Sequence, residues 1–538
     1  MAAKAWKLGD PSAPSFPDDF EVVNKAVLQI TDIKTNRNKY YAVEVHAGAS
    51  GYRVFTHYGR TDDLDTNPDA GQKECRYFET LADAQRMYES IYREKTSAAK
   101  GYHEVSLASS RIGSTRARGT SSGQIDDATI KKAADAQKAQ AQKEQDQNVA
   151  AQPESVPQEA APVAPPQPPP APATPAPWHK KLKKFFGGVL GGDGSAAPLA
   201  IPGAPVSMPI YTGDLHPRVV ELVDYVYAEA TSALTSTVAV KITAQGIETP
   251  LGVLTLGQIQ KGEAILQELY GQFQKKRQKR DVMEQLSGDF YTMIPHRIGR
   301  TRAAIQAAVI DSMEAFEQKQ ETLQLMKDML KVNGEGNVLY HSKTQSQFDA
   351  LRCNLAWLDP STQVHQEIRD YVLKSQIKSR SIKVLNVFQI GREPEVRAFA
   401  QHIDNQRLMF HGSRIRNWVG ILSRGIVLPK IAVSLGINRT DAGWLGNGIY
   451  FGDAACTSSF YTSPGRKGTR LMALARVGLG RMKEYRKITY GLTAPPDGYD
   501  SCHGVRNTVA NRSEFADDEY VVYNPNQQKL EYLVEFKM

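Results

Sequence analysis

Residues 408–414 read LMFHGSR, residues 446–453 read GNGIYFGD and residues 518–523 read DEYVVY. Each stretch has the apolar content of a buried strand, and glycines punctuate the first two. His411, Tyr450 and Glu519 are thereby placed on three separated strands. A histidine, a tyrosine and a glutamate so arranged favour a pocket for a sugar-bearing nucleotide over a metal site or a hydrolase triad.

The length of 538 residues exceeds what one ordinary hydrophobic core fills and predicts about three or four domains. Hydrophobic residues make up 41% of the chain and charged residues 23%, as in soluble globular proteins. The formal net charge of +8 favours a polyanionic partner, above all nucleic acid. The alternative is that so modest an excess, spread over the whole chain, identifies no partner.

The four cysteines, at positions 75, 353, 456 and 502, form no CxxC pair, which argues against a zinc finger or another metal site. Their scarcity suits a reducing compartment. No apolar run is long enough to span a membrane, and the polar N-terminus lacks the core of a signal peptide. We therefore expect an intracellular protein without a membrane partner, in the nucleus if eukaryotic and in the cytoplasm or nucleoid if bacterial.

A small β-rich domain is predicted over residues 20–114, after a flexible N-terminus over residues 1–19. Strand-like segments such as YYAVEV at residues 40–45 are separated by turn residues. Thr80 is then expected to cap a helix whose apolar positions recur at helical spacing.

A disordered linker is predicted over residues 115–205, because residues 152–177 are dense in proline and alanine. The segment WHKKLKKFF at residues 178–186 is basic and aromatic, and would suit a DNA backbone or an acidic surface. A solvated linker without a fixed partner explains this segment equally well.

Helical periodicity predicts an all-α bundle over residues 206–345. Its basic run KKRQKR at residues 275–280 is compatible with a nuclear-import signal, a phosphate patch or the charged end of a helix. Residues 346–538 return to a mixed α and β pattern. They contain no GxGxxG after a strand, GxxxxGKS, GxSxG or HExxH motif, which disfavours Rossmann, P-loop, serine-hydrolase and zinc-protease chemistry.

In combination and in this order, the segments HGS (411–413), GIYF (448–451) and EYVVY (519–523) closely resemble the catalytic domain of the poly(ADP-ribose) polymerases. The resemblance covers residues 348–538. It extends to further polar and aromatic positions of the family's pattern: Asn417, Ser458 and Tyr461.

The two preceding regions resemble other domains of the DNA-dependent members of that family. The helical block is similar to their regulatory domain. The N-terminal domain is similar to the WGR module, although its Trp-Gly-Arg triplet is Tyr58-Gly59-Arg60 here. The resemblance implies a multidomain α+β protein with a WGR-like DNA-binding domain, a disordered linker, an all-α regulatory bundle and an α+β ADP-ribosyltransferase domain.

The resemblance also implies an activity and its partners. We expect a polymerase, stimulated by DNA breaks and acting in DNA repair, that transfers ADP-ribose from NAD to proteins, including itself, with release of nicotinamide. NAD is expected as the substrate, with no metal, and the protein is expected to be a monomer without DNA. Two alternatives stay open: a mono-ADP-ribosyltransferase, or a DNA-end-binding scaffold whose pocket is inactive.

Carried over position by position, the resemblance assigns NAD binding to seven residues: His411, Gly412, Ser413, Asn417, Tyr450, Ser458 and Tyr461. Gly412 and Ser458 are expected to bond the nicotinamide carboxamide, and Tyr461 to stack on its ring. The two residues beside Gly412 are expected to hold the adenosine-side ribose, and Tyr450 to wall the pocket.

The expected catalytic residues are Glu519, His411 and Tyr450, with Glu519 carrying the reaction. A carboxylate there would stabilise the positive charge that develops on the ribose as nicotinamide leaves. Family members without this glutamate are usually limited to single transfers, so its presence favours chain elongation. The structural alternative is a solvent-facing residue at the start of a strand.

Tyr58 and Arg60 are the expected DNA-binding residues, with Arg60 contacting phosphate or bridging to the regulatory helices. The helical block is expected to obstruct NAD entry at rest and to loosen when DNA binds. Departures from the family pattern affect adenine-side and acceptor contacts and the docking of the last regulatory helix, at four positions: Val427, Asn447, Lys327 and Lys331.

Overall fold

The computed structural model describes residues 3–115, 215–243, 246–275, 277–298, 301–333, 344–376, 381–428 and 443–538. All of these residues belong to one compact unit of the chain. Apart from residue 115, the predicted linker over residues 115–205 lies outside the described residues, and so does its basic segment at residues 178–186.

The N-terminal residues 3–115 form a six-stranded antiparallel sheet with the order β1-β5-β4-β3-β2-β6. Its strands are β1 (Trp6–Lys7), β2 (Phe20–Asp32), β3 (Arg37–Gly48), β4 (Gly51–Arg60), β5 (Gln72–Phe78) and β6 (His103–Glu104). Helix α1 (Leu81–Thr96) begins after Thr80, whose hydroxyl accepts a hydrogen bond from the backbone N–H of Asp83 at 3.2 Å. This is the predicted N-cap, and the apolar face of α1 packs on the sheet.

The first residues differ from the flexible N-terminus expected over residues 1–19. Strand β1 pairs with Cys75 and Glu74 at the edge of the sheet. The guanidinium of Arg53 lies over the ring of Phe16, 4.3 Å from its centroid. Strand pairing and this cation–π contact hold a segment whose composition alone suggests a tail.

The helical region contains α2 (Pro217–Thr237), α3 (Leu256–Phe273), α4 (Arg280–Met293), α5 (Arg302–Ala307) and α6 (Met313–Asn333). The apolar faces of these helices pack into one buried core, as their periodicity predicts. The region is not purely helical, because the described residues include a four-stranded sheet with the order β7-β10-β9-β8. Its strands are β7 (Leu107–Ser110), β8 (Lys241–Thr243), β9 (Gly246–Glu248) and β10 (Gly252–Leu254).

This small sheet joins the N-terminal domain to the helices, and direct hydrogen bonds reinforce the junction. The backbone N–H of Thr31 donates to the hydroxyl of Thr292 at 2.7 Å, within the buried interface. Gly288 allows this close approach, since a Cβ there would collide with the Thr31 carbonyl oxygen. The side chain of Gln258 accepts from the backbone N–H of Ser106 at 2.8 Å.

The described C-terminal residues form a nine-stranded sheet with the order β11-β12-β19-β15-β13-β14-β18-β17-β16. Its strands are β11 (Asn354–Trp357), β12 (Lys383–Gly391), β13 (Gln406–Gly412), β14 (Ile449–Gly452), β15 (Arg470–Gly478), β16 (Met482–Tyr485), β17 (Ser501–Gly504), β18 (Glu519–Val522) and β19 (Gln528–Lys537). The helices of this part are α7 (Thr344–Leu351), α8 (Gln363–Lys374), α9 (Glu393–Ala398), α10 (Trp418–Arg424) and α11 (Ala455–Ser459). Short 3-10 helices lie at Thr61–Asp65, Ile415–Asn417 and Pro525–Gln527.

The sheet is antiparallel except for the pairing of β16 with β17. Strands β15 and β18 are almost fully buried, and so is the middle of β13, because apolar residues pack on both faces of the sheet. A β-rich domain, a helical bundle and an α+β domain therefore follow one another as predicted, and the multidomain α+β fold class is confirmed.

Candidate active site

Three neighbouring strands, β13, β14 and β18, bring His411, Tyr450 and Glu519 together. Phe410 pairs with Gly452, and Gly452 pairs in turn with Glu519. Because both pairings are antiparallel, the C-terminal end of β13 lies beside β14 near the first residue of β18. Three stretches that are far apart in the sequence thus form one site.

Gly412 ends β13 at a position where no side chain fits. A Cβ there would collide with the carbonyl oxygen of Ser458 and would lie 3.2 Å from a methyl carbon of Thr462. A glycine at such a close approach leaves the backbone N–H and C=O accessible to a flat ligand. This cradle fits the carboxamide that the sequence resemblance assigns to it.

His411 is held as a neutral ring. Its Nδ1 lies 3.0 Å from the carbonyl oxygen of Tyr450, and because a carbonyl only accepts, Nδ1 carries the proton and donates it. Burial lowers the pKa of His411, against the opposing effect of this hydrogen bond. Its Nε2 is therefore a hydrogen-bond acceptor, suited to binding a hydroxyl and unsuited to donating a proton.

Tyr450 uses its hydroxyl to fix the preceding loop. The hydroxyl donates to the carbonyl oxygen of Gly446 at 2.8 Å and accepts from the backbone N–H of Leu445 at 2.9 Å. Desolvation raises its pKa, and the charge of Glu519 adds to the increase. Because the hydroxyl is already engaged, the ring of Tyr450 is what remains to wall a pocket.

Ser458 and Tyr461 follow one another around the end of α11. The hydroxyl of Ser458 donates to the carbonyl oxygen of Phe410 at 3.1 Å, so it must exchange this partner before it donates to a bound amide. The backbone N–H of Tyr461 donates to the Ser458 carbonyl oxygen at 3.2 Å. The Tyr461 side chain is 58% exposed, which leaves it open to stacking by a ligand.

Ser413 and Asn417 lie together beside His411. The side-chain amide of Asn417 donates to the Ser413 hydroxyl at 3.2 Å. Asn417 ends the short 3-10 helix that follows β13, so both polar groups lie within a few residues of His411.

Glu519 is buried, with 8% of its surface exposed. Among the residues that the structure describes, none donates a hydrogen bond to its carboxylate. Burial raises its pKa to about 7, and the negative charge of Asp517 adds to the effect. A buried carboxyl that titrates near neutrality beside aromatic residues is typical of a catalytic group.

Sequence reasoning missed a cluster of charged residues around the first residues of β18: Asp453, His503, Arg506, Asp517 and Asp518. Of these, Asp517 acts on the pKa of Glu519. The acidic doublet directly before Glu519 was a signal that the sequence offered. No local pattern marks the histidine or the arginine, because only the pairing of β17 with β18 brings them beside β18.

A second candidate site surrounds Tyr58 and Arg60 at the end of β4. Both line a depression of about 530 Å³, together with Lys39, Tyr40, Tyr41, Arg76, Lys95 and Tyr102. The ring of Tyr58 stacks on that of Tyr41 with centroids 5.2 Å apart, and its hydroxyl donates to Glu74 at 2.7 Å. A guanidinium nitrogen of Arg60 lies 3.3 Å from Asp62. Four cations among aromatic rings make this surface suitable for a nucleic-acid backbone and its bases.

The last regulatory helix, α6, contacts the segment that follows Gly412. Glu321 accepts a hydrogen bond from Arg414 at 3.0 Å and a second one from Arg416. Two turns further along α6, Asp328 accepts two hydrogen bonds from the guanidinium of Arg424, at 2.7 and 3.1 Å. These acidic residues carry the docking of the helix.

The residues that depart from the family pattern have other surroundings. Lys327 forms an ion pair with Glu263 inside the helical region, and Lys331 is exposed. Asn447 is 1% exposed, and neither polar atom of its amide has a hydrogen-bond partner among the described residues. The two lysines therefore make no ion pair with the C-terminal sheet domain in the described part of the chain.

The described residues contain no group of three or more His, Cys, Asp or Glu side chains that could hold a metal ion. In the same part of the chain, no helix combines the length and the apolarity needed to cross a bilayer. All four cysteines are buried and unbridged.

Three family models match separate parts of the chain. The WGR domain matches residues 24–109, the poly(ADP-ribose) polymerase regulatory domain matches residues 213–349, and the poly(ADP-ribose) polymerase catalytic domain matches residues 362–538. These are the three domains that the sequence predicts, in the predicted order.

Several curated proteins are similar to this chain over part of their length. The protein mono-ADP-ribosyltransferase PARP4 of Mus musculus is 34% identical over 328 residues, which are 61% of this chain and 16% of that protein. Poly(ADP-ribose) polymerase 2 of Homo sapiens is 28% identical over 323 residues, 53% of each chain. The protein mono-ADP-ribosyltransferase PARP3 of Gallus gallus is 28% identical over 324 residues, 53% of this chain and 58% of that protein. The chain thus spans less than a fifth of the first relative and little more than half of the other two.

Proposed function

The chain belongs to the poly(ADP-ribose) polymerase family, and we propose that it is an NAD-dependent ADP-ribosyltransferase stimulated by DNA breaks. The observation that carries this proposal is the meeting of Gly412, His411 and Glu519 at neighbouring strand ends. Such a reaction needs a site that binds a carboxamide, an acceptor for a ribose hydroxyl, and a carboxylate whose pKa lies near neutral pH.

In the proposed reaction, the bond between the nicotinamide nitrogen and ribose C1′ breaks, and nicotinamide leaves with the bonding electrons. The backbone of Gly412 holds the carboxamide, and the ring of Tyr461 stacks on the nicotinamide. An acceptor oxygen forms the new bond to C1′ and releases its proton. Glu519 stabilises the positive charge that develops on the ribose and accepts that proton.

The pKa of Glu519, about 7, suits both tasks. At slightly alkaline pH the group is ionised and provides the negative charge, because its pKa then lies below the pH. It is also far more basic than an ordinary carboxylate, so proton transfer from an acceptor hydroxyl is less unfavourable.

Substitution of this residue tests the proposal. We expect Glu519→Gln to reduce nicotinamide release from NAD by about 100-fold or more, the size of effect that a lost charge-stabilising group has in other enzymes. Glu484→Gln is the matched control, since Glu484 is an exposed strand glutamate of the same sheet. Equal rates for the wild type and Glu519→Gln would contradict the assigned role.

We propose further that the product is a polymer, for which Glu519 is the supporting residue. A carboxylate that polarises a ribose hydroxyl allows the ADP-ribose already attached to serve as the next acceptor. The second candidate is a single transfer, favoured by the names of the PARP4 and PARP3 relatives. Labelled product on a denaturing gel separates a ladder from a single band.

We propose that DNA binds the depression around Tyr58 and Arg60, and that the protein therefore acts where the genome is, in the nucleus or the nucleoid. Lys39, Arg76 and Lys95 add positive charge to the same depression. Phosphates would be bound by the cations, and an unpaired base or sugar by the tyrosine rings.

The contacts of the helical region support its proposed role as a restraint on the pocket. Glu321 binds the segment after Ser413. On the other side, Glu229 of α2 accepts hydrogen bonds from the backbone and the side chain of Arg466, at 2.8 and 3.1 Å, just beyond Tyr461. The helices thus hold chain segments on both sides of the proposed nicotinamide site.

The same bundle is bonded to the N-terminal domain through Thr31 and Thr292. A rearrangement that DNA imposes on the N-terminal domain can therefore reach the pocket through directly connected elements. DNA would then shift the population toward a bundle that no longer holds these segments.

A further inference from the structure

The basic run at residues 275–280 lies between α3 and α4 of the helical region and includes the first residue of α4. Of this run, the structure describes residues 275 and 277–280. Four of its cationic side chains are thereby described, and all four are exposed: Lys275, Arg277, Lys279 and Arg280. The first three of them form no ion pair with any residue that the structure describes. Like charges clustered on a surface without counter-charges attract a polyanion.

The helix ends do not account for this run. Cations stabilise the C-terminal end of a helix, which suits Lys275 after α3. Lys279, in contrast, is the N-cap of α4, and its side chain makes no capping hydrogen bond there. Arg280 has a structural role, because it lies 3.1 Å from Glu284 and 3.9 Å from Asp311. The fold therefore gives no reason for the charge of Lys279.

The turn between β2 and β3 brings the N-terminal domain beside the run. Lys34 of this turn lies 4.0 Å from Glu284, the carboxylate that also pairs with Arg280. Two residues later, the carbonyl oxygen of Asn36 lies 3.5 Å from a guanidinium nitrogen of Arg60. One short turn therefore connects the start of α4 with the arginine that is proposed to bind DNA.

A cleft next to the depression around Tyr58 also reaches the helical region. Arg60 lines both the depression and this cleft, and Arg37 lines the cleft as well. Ile298 and Ile305 of the helical region line the same cleft. The positive surface of the N-terminal domain is therefore continuous with the helical region at this point.

Acidic residues along this path do not cancel its positive charge. Asp62 lies 3.3 Å from Arg60, and Asp32 lies 3.4 Å from Arg37, so a cation matches each of them. Asp281 directly follows the basic run, which itself holds five cations in six residues. The run therefore keeps a clear excess of positive charge.

Given the DNA binding proposed above, we propose that the basic run is a second contact for the same DNA. The N-terminal domain binds one part of the backbone, which continues past Arg60 to Lys275, Arg277 and Lys279. The run binds phosphates, so this contact carries no sequence preference. DNA then touches the regulatory bundle directly and does not act on it through the N-terminal domain alone.

The test is the salt dependence of DNA binding by the full-length protein, measured by fluorescence anisotropy with a nicked duplex. Each phosphate contact adds about 0.9 to the slope of log affinity against log salt concentration. The test variant combines Lys275→Gln, Arg277→Gln and Lys279→Gln, and leaves Arg280 intact because of its ion pairs. We expect its slope to fall by about two to three and its affinity at about 0.15 M salt to fall at least about tenfold. Adding Arg60→Gln should lower the slope further.

The matched control replaces three exposed cations of the C-terminal domain by glutamine: Arg369, Lys374 and Lys383. It removes the same formal charge, and its slope should stay near that of the wild type. An equal fall in slope for both triple variants would show an effect of net charge, and the inference would be wrong.

An unchanged slope for the basic-run variant would also overturn the inference and would leave the run as an import signal or a solvated loop. A wild-type protein that binds no DNA would instead refute the proposed DNA binding itself. Because Arg60→Gln and the basic-run variant are measured separately, the two failures are distinguishable.

Discussion

Arg414, the residue directly after the HGS triplet, donates a hydrogen bond to Glu321 of the last regulatory helix at 3.0 Å. This bond crosses from the C-terminal sheet domain to the helical bundle, and Arg416 adds a second one to the same carboxylate. The proposed NAD-binding segment is therefore tied directly to the element that is proposed to restrain it.

Breaking this tie should raise the activity without DNA. Both side chains are partly exposed, so the pair contributes at most about 1 kcal/mol, and we expect Glu321→Gln to raise the DNA-independent rate by up to about fivefold. Nicotinamide release without DNA measures this effect. Glu314→Gln on the exposed start of the same helix is the control, and an unchanged rate for Glu321→Gln would argue against the restraint.

Gly412→Ala should abolish NAD binding while the protein still folds. The added methyl group would meet the carbonyl oxygen of Ser458, so β13 or α11 has to shift and close the cradle. We expect at least about a 100-fold loss of nicotinamide release, because small misplacements at a reacting centre have effects of this size. Gly271→Ala is the control, as a Cβ there meets nothing within 4 Å. Wild-type affinity for NAD in calorimetry would show that Gly412 does not line the site.

The rate of the wild type should follow the ionisation of Glu519. Its pKa is raised to about 7, and the ionised form is the active one, so the rate should fall about tenfold per pH unit below that value. Measuring nicotinamide release with saturating NAD and DNA between about pH 5.5 and 8.5 covers the transition. If the rate instead fell only near the ordinary pKa of a glutamate, bound NAD or DNA would have removed the effect of burial on Glu519.

The raised pKa of Glu519 also has a consequence for the stability of the fold. Because burial raises the folded-state pKa of Glu519 from 4.5 to about 7, its contribution to stability is complete below pH 4.5 and is lost as the pH rises through about 7. The full loss is on the order of 3 kcal/mol at alkaline pH. Glu519→Gln should therefore raise the thermal unfolding midpoint at pH 8 and leave it nearly unchanged at pH 4.5. A lower midpoint at pH 8 would contradict the buried, unpaired state of this carboxyl.

Arg60→Gln should weaken DNA binding and make it less sensitive to salt. If Arg60 contacts one phosphate, the slope of log affinity against log salt concentration should fall by about one. Arg93→Gln is the control, since Arg93 is 79% exposed on α1 and pairs only with Glu89 among the described ion pairs. Equal salt slopes for Arg60→Gln and the wild type would place the DNA elsewhere.

Local patterns predicted much of this fold, and long-range pairing accounts for what they missed. The cap at Thr80 and the apolar faces of α2 and α3 follow from residues within a few positions of each other. Strand β1 is too short to have a pattern of its own, and it forms because β5 offers an edge. The strands β8, β9 and β10 arise in the same way, since β10 pairs with β7, β9 pairs with β10 and β8 pairs with β9.

In the candidate site, too, local patterns predicted some residues, and long-range pairing accounts for the others. His411, Tyr450 and Glu519 were found because each lies in a recognisable motif, and the strand order then brings the motifs together. Arg506 lies in a loop without a motif, and only the structure shows that it pairs with Asp453, Asp517 and Asp518 beside the start of β18. The hydroxyl partners of Tyr450 and Ser458 likewise depend on contacts that no local sequence pattern reports.

The most direct test is to incubate the full-length protein with labelled NAD, with and without a DNA duplex bearing a 5′-phosphorylated break. The account predicts nicotinamide release and labelled protein, both increased by the duplex and both lost in Glu519→Gln. DNA binding with no nicotinamide release under any condition would contradict it and would indicate a DNA-end-binding scaffold with an inactive pocket.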